Sequence, residues 1–124
     1  MNSMDKRHFK RIYFSDEDSI EAVFRLSDEP SEPIKGQIMN LSEGGLFISV
    51  SKDTKPEDMG EGVHLILKEI TGITPFLNID NTEIEIKWIL HAQFLENVGL
   101  GCEFVNITED TRNKIRQIVA SSEQ

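Results

Sequence analysis

The sequence predicts a mainly β fold: a small antiparallel barrel of six or seven short strands, then one C-terminal amphipathic helix. Three observations lead there. Apolar and polar residues alternate over several short runs, the period of a half-buried strand. Gly, Pro, Asn and Asp clusters punctuate those runs at regular spacing, as in small barrels. Only the last stretch changes to a helical period. The chain has 124 residues, the size of one ordinary domain. It reads as a single domain over 1–124: a basic arm (1–14), the barrel (15–107) and the helix (108–121).

Each element has its own warrant. Ser15 to Ser19 (SDEDS) is an acidic turn. Ile20, Ala22, Phe24 and Leu26 then alternate with Glu21, Val23 and Arg25, giving the first strand. Asp28 to Pro33 (DEPSEP) is a loop, because its prolines refuse both helix and central strand. Ile34 to Leu41 is the second strand. Ser42-Glu43-Gly44-Gly45 is a tight turn into a third, Leu46 to Val50, so the two form a hairpin. Ser51 to Gly62 is polar, carries Pro56, Gly60 and Gly62, and reads as a loop. Val63 to Ile70 is nearly all apolar and reads as a strand. Gly72 to Asn81 is a second connection.

Thr82 to Leu90 alternates again, with Ile84, Ile86, Trp88 and Leu90 on one face and Glu83, Glu85 and Lys87 on the other. That phase puts Trp88 in the core. Ala92 to Glu96, a turn at Asn97 and Leu100 to Val105 complete the sheet as a further hairpin. Cys102 lies in phase with Leu100 and Phe104, so it reads as a buried, unreactive thiol. Thr108 is a good N-cap, and Glu109 and Asp110 suit the positive end of a helix dipole. Ile115, Ile118 and Val119 form one apolar stripe, while Arg112, Lys114 and Arg116 cover the other faces.

Charge and cysteine content narrow the function. The chain carries 13 Lys and Arg against 22 Asp and Glu, a net charge of −9. A duplex needs a basic face, so general nucleic-acid binding is not expected. The charge is uneven, however. Lys6, Arg7, Lys10 and Arg11 against Asp5 leave the first 11 residues at +3 and the rest at −12. A cationic arm on an acidic body points to a local anion site. One cysteine makes no internal disulfide, and the N-terminus has no apolar segment of a signal peptide. A reducing, cytoplasmic location is therefore expected, with no membrane span. His8, His64 and His91 are too scattered for a zinc site, so no metal is expected. No G-x-S-x-G, H-E-x-x-H or P-loop pattern is present, so no catalytic residue is assigned and the chain does not read as an enzyme.

Two short motifs remain. Arg7-His8-Phe9-Lys10-Arg11 spaces two arginines as R-x-x-x-R on the arm. Asn40-Leu41-Ser42-Glu43-Gly44-Gly45 is N-x-S-x-x-G where a strand meets a turn. Each alone is common. Arg7 and Arg11 have a plain reading as solvated arm charges, and Asn40 and Ser42 as residues that satisfy turn backbone. Phe9 either anchors the arm or lies near a ligand. The order of arm, strand, turn and a strand beginning Gly45-Leu46-Phe47-Ile48 gives the motifs more weight together.

This arrangement resembles the PilZ domain, a bacterial receptor family for cyclic di-GMP. The closing Gly101-Cys102-Glu103-Phe104 is similar to the family's G-x-x-F end. The likeness runs over roughly residues 5 to 120. It implies a six-stranded antiparallel barrel with a mobile basic arm and a C-terminal helix. It also implies a ligand, cyclic di-GMP, held by Arg7, Arg11, Asn40, Ser42 and Gly45, with Lys6, Lys10 and Gly44 in support and no other cofactor.

The chemistry fits. Guanine offers O6 and N7 to an arginine fork, and a guanidinium also pairs with phosphate or stacks on a base. The resemblance implies no reaction. It implies a receptor that turns nucleotide binding into a conformational and protein–protein signal, with an unidentified downstream partner in motility, exopolysaccharide, biofilm or pilus control. In relatives the residue before R-x-x-x-R bears on stoichiometry; here the cationic Lys6 points to two nucleotides per chain. The alternative is a PilZ-fold adaptor that binds no nucleotide.

Overall fold

In the computed structural model, residues 10–26, 32–53, 59–72, 81–91 and 96–121 are described. They form strands β1 (Ile12–Tyr13), β2 (Glu21–Leu26), β3 (Ile34–Leu41), β4 (Gly45–Ser51), β5 (His64–Thr71), β6 (Thr82–Leu90) and β7 (Asn97–Phe104). Helix α1 follows (Glu109–Ser121). All pairings are antiparallel. The order β3-β2-β5-β6-β7-β4 closes on itself through β3–β4, making a six-stranded barrel with β1 as an extra strand. Among the described residues, closure leaves no long open edge to template pairing with another chain.

Strand identity follows from alternation. Ala22, Phe24 and Leu26 of β2, Ile34, Ile38 and Leu41 of β3, and Leu46, Ile48 and Val50 of β4 all point inward and are buried. Leu65 and Leu67, Ile84 and Ile86, and Val98 and Leu100 fill the core from the other side. Register shifts fall between Val23 and Phe24, Ile38 and Asn40, and Ile86 and Trp88. Such bulges add a residue to one strand, sharpen its bend and help a small barrel close.

The third bulge overturns one expectation. Ile84 and Ile86 are buried as the alternation requires, but the phase then slips by one. Ile89 now packs against the core, while Trp88 is 49% and Leu90 57% exposed. Trp88 is therefore an outer-wall residue and not a core residue. A second difference concerns Asn97. Expected as a turn, it is the first residue of β7, paired with Ser51, and its side-chain amide donates to Ser49 Oγ at 2.9 Å. The strand expected over Ala92 to Glu96 falls largely outside the described residues, and Glu96 itself is a bend.

Part of the stretch read as arm also joins the sheet. Ile12 and Tyr13 pair with Leu41 and Asn40, and the Phe14 amide donates to the Met39 carbonyl at 2.9 Å. The acidic turn that follows is a single 3-10 turn at Asp16–Asp18, steadied by the Asp18 carboxylate accepting from the Ser15 amide at 2.7 Å. At the C-terminus Thr108 caps α1 as expected: its hydroxyl accepts from the Thr111 amide at 3.1 Å. Ile115, Ile118 and Val119 bury the helix stripe. Across the polar face, Arg116 donates twice to the Glu43 carboxylate, at 3.0 and 2.8 Å. The helix is thereby tied to the β3–β4 turn.

Candidate functional site

The β1–β3 pairing sets up the site. With Tyr13 opposite Asn40 in register, Arg11 stands just outside the end of β1. Its guanidinium donates to Asn40 Oδ1 at 2.7 Å. The last arginine of the first motif and the first residue of the second are thus in direct contact, 29 residues apart in sequence. The bond uses the Asn40 carbonyl oxygen, so the NH2 group is what this side chain has to offer a ligand. Lys10 is exposed beside Arg11. Lys6 and Arg7 lie outside the described residues.

The rest of the second motif does different work. Ser42 is 1% exposed. Its amide donates to the Gly45 carbonyl at 2.8 Å, and its hydroxyl accepts from the Gly44 amide at 3.1 Å and donates to the Gly45 carbonyl at 3.4 Å. The hydroxyl therefore holds the turn together. Gly44 is half-buried, and its carbonyl accepts from the Phe104 amide at 2.9 Å. At Gly45 a Cβ would stand 2.0 Å from the Cys102 carbonyl oxygen. Glycine here lets β4 and β7 approach closely; the space left by its missing side chain faces β7.

Beside Arg11 and Asn40 lies a surface groove of about 750 Å³. Arg11, Tyr13 and Asn40 form one side, Phe47 the wall, and Lys87, Trp88 and Glu103 the other side. The Phe47 and Trp88 rings stack, with centroids 5.1 Å apart and planes at 23°. Both lie over glycines of β7. A Cβ at Gly101 would meet Trp88 at 2.2 Å, and one at Gly99 would meet Phe47 at 2.3 Å. The G-x-G spacing on one face of β7 is the bed for this aromatic pair. Tyr13 is 70% exposed, so three aromatic side chains and a guanidinium border the same groove. Under it, burial pushes the Cys102 thiol up to about 12, which leaves it protonated and inert at neutral pH.

The β3–β4 turn is held from the other side. Glu43, inside the second motif, is bonded by Arg116 and has Arg112 4.0 Å away. The hydrogen bonds from Arg116 hold its carboxyl below the ordinary carboxylate range. Chemically, the groove suits a flat ligand with negative charge: a guanidinium, an ammonium on Lys87, an amide donor and aromatic faces for stacking. Among the described residues no group of three His, Cys, Asp or Glu is placed to hold a metal ion, and no helix is long and apolar enough to cross a membrane.

Of the groove's lining, the sequence motifs name Arg11 and Asn40 and do not name Tyr13, Phe47, Lys87, Trp88 or Glu103. A usable signal was present for the aromatics. Gly99 and Gly101 alternate within a strand, and glycine there marks something lying close across the backbone.

A family model, the PilZ domain, matches residues 5–121. Among curated proteins none matches this sequence significantly. Solved structures share the fold. The PilZ domain of YcgR from Escherichia coli, determined with c-di-GMP, aligns at a TM-score of 0.71 and 17% identity, covering 95% of this chain and 92% of that one. The Bacillus subtilis inhibitor of motility (MotI/DgrA) aligns at 0.68 and 18% identity, covering 94% and 51%. The K. pneumonia MrkH–c-di-GMP complex aligns at 0.70 and 14% identity, covering 93% and 51%. This chain thus spans about half the length of the last two. With the family model running from the arm to the end of the helix, over a six-stranded barrel of the same fold, this chain belongs to the PilZ domain family.

Proposed function

We propose that this chain is a receptor for cyclic di-GMP. The observation that carries the reading is the Arg11–Asn40 contact at the mouth of the groove, which joins the two PilZ motifs on one surface. Arg11 supplies a fork for the guanine O6/N7 edge or for phosphate. The Asn40 NH2 adds a donor, and Trp88 and Tyr13 offer faces for the bases. Arg7 and Lys6, with Lys10, supply charge from the preceding arm. With Arg11 they make four cations, which match the −4 of a stacked nucleotide pair and favour two nucleotides per chain. Ser42, Gly44 and Gly45 shape the turn that holds Asn40 in place.

The output is a change of exposed surface read by a downstream protein. The ligand shifts the equilibrium between two conformations by its preference for one of them. No reaction on the nucleotide is part of the proposal. Calorimetric titration with cyclic di-GMP, GTP and a short oligonucleotide tests it. Saturable heat with cyclic di-GMP alone is expected. The absence of heat with it would favour the adaptor reading, and a response to the oligonucleotide would favour a single-strand binder. The saturation point gives the stoichiometry directly, and Lys6→Ala is expected to lower it from two.

A further inference from the structure

The groove described above holds one group at odds with an anionic ligand. Glu103 is exposed on β7, on the same outward face as Gly101, and lines the groove opposite Arg11 and Asn40. It is the only carboxylate among the groove-lining residues. Among the described residues its carboxylate has no hydrogen-bond or ion-pair partner. A free carboxylate beside two phosphates repels them, so it is unfavourable there unless the ligand brings donors to it.

Guanine brings them. Its O6/N7 edge is all acceptor and suits Arg11 and the Asn40 NH2. Its other edge carries N1–H and the N2 amino group, two parallel donors at the spacing of a carboxylate's oxygens, and a carboxylate accepts them as a pair. Asn40 Oδ1, the other acceptor near Arg11, is already engaged by that guanidinium. Glu103 also stands two residues along β7 from Gly101, roughly 7 Å by strand geometry. Gly101 lies directly beneath the Trp88 ring. A base resting on Trp88 therefore has Glu103 within reach of one edge.

The geometry points to Glu103 as the residue that reads the N1–H/N2 edge of guanine and so selects guanine over adenine dinucleotides; this rests on the cyclic di-GMP reading above. Adenine would present N1, an acceptor, to the carboxylate, and a lone pair facing a charge costs affinity.

The test compares three dianions of equal charge: cyclic di-GMP, cyclic di-IMP (which lacks only the N2 amino group) and cyclic di-AMP. Each is titrated calorimetrically into the intact chain and into Glu103→Gln. In the unaltered protein, cyclic di-IMP is expected to bind roughly tenfold more weakly than cyclic di-GMP, and cyclic di-AMP weaker again. In Glu103→Gln the gap between cyclic di-GMP and cyclic di-IMP is expected to close to within about twofold. Cyclic di-AMP is expected to gain, because a glutamine pairs with N6–H and N1 of adenine. Glu103 is exposed, so an unchanged melting curve for Glu103→Gln separates lost recognition from lost folding. An unchanged guanine/inosine ratio would overturn the assignment and leave the receptor standing. So would tighter binding of cyclic di-GMP by the variant, the mark of a carboxylate that only repels. Failure of the unaltered chain to bind any of the three would overturn both readings together.

Discussion

Asn40 and Ser42 sit two residues apart in one motif and serve opposite purposes. Asn40 is partly open, contacts Arg11 and borders the groove. Ser42 is sealed under the turn, its hydroxyl used by Gly44 and Gly45. Gly45, three residues further, faces β7 and not the groove. The contrast teaches that this motif is a mixture. One part borders the groove, and the other fixes the backbone that presents it. Substitutions in the two parts should therefore separate folding from binding.

The largest effect is expected at Gly45. Alanine there drives a Cβ into the Cys102 carbonyl, which neither strand can relieve without moving. A loss of about 3 kcal/mol in chemical denaturation is expected, with binding lost only as folding fails. Arg11→Ala should do the reverse. Cyclic di-GMP affinity falls roughly tenfold or more by calorimetry, while the melting temperature of the free protein barely changes, since exposed polar contacts add little. Arg7→Ala should behave the same way.

Ser42→Ala and Asn40→Ala sharpen the contrast within the motif. Ser42→Ala removes the acceptor of the half-buried Gly44 amide and is expected to lower stability by about 1–2 kcal/mol. Asn40→Ala should leave stability near that of the unaltered chain and weaken cyclic di-GMP severalfold. The same outcome for both substitutions, in stability and in binding, would merge the two roles.

The smallest effect concerns Glu43. Its carboxyl titrates below its ordinary range because Arg116 bonds the charged form. A lowered folded-state pKa gives stability that is present above the unfolded carboxylate value. That stability is lost as pH falls through the lowered value. Glu43→Gln should thus melt slightly earlier than the unaltered protein at pH 7, by less than about 4 °C. The difference should fade below about pH 4. A gap that persists at pH 3 would show that the bond's charge is irrelevant.

Much of the fold was legible because it rests on local pattern. The alternation over Ile34–Leu41 and Thr82–Leu90 set both strands at their observed bounds, and Thr108 announced the helix. The failures came where pattern meets tertiary structure. A bulge adds one residue without any residue type to mark it, so Trp88 looked like core and is wall. Asn97 is a common turn residue, yet strand pairing with Ser51 overrides that preference. Within the site, Arg11 and Asn40 were legible from the motifs. Glu103, Lys87 and Trp88 were not, because closure of the barrel brings β6 and β7 beside the end of β3. The Glu43–Arg116 bond, 73 residues apart, has no local signature either.

Trp88 is the chain's single tryptophan and lies in the groove beside Arg11, so its fluorescence reports on the site alone. Titration of the unaltered protein with cyclic di-GMP is expected to change that emission saturably, as a base stacks on or near the indole. In Arg11→Ala the same change should require roughly tenfold more nucleotide or more. Saturable emission change at the same concentration in both proteins, or calorimetric binding with Trp88 unmoved, would contradict a cyclic di-GMP site built on Arg11, Asn40 and Trp88.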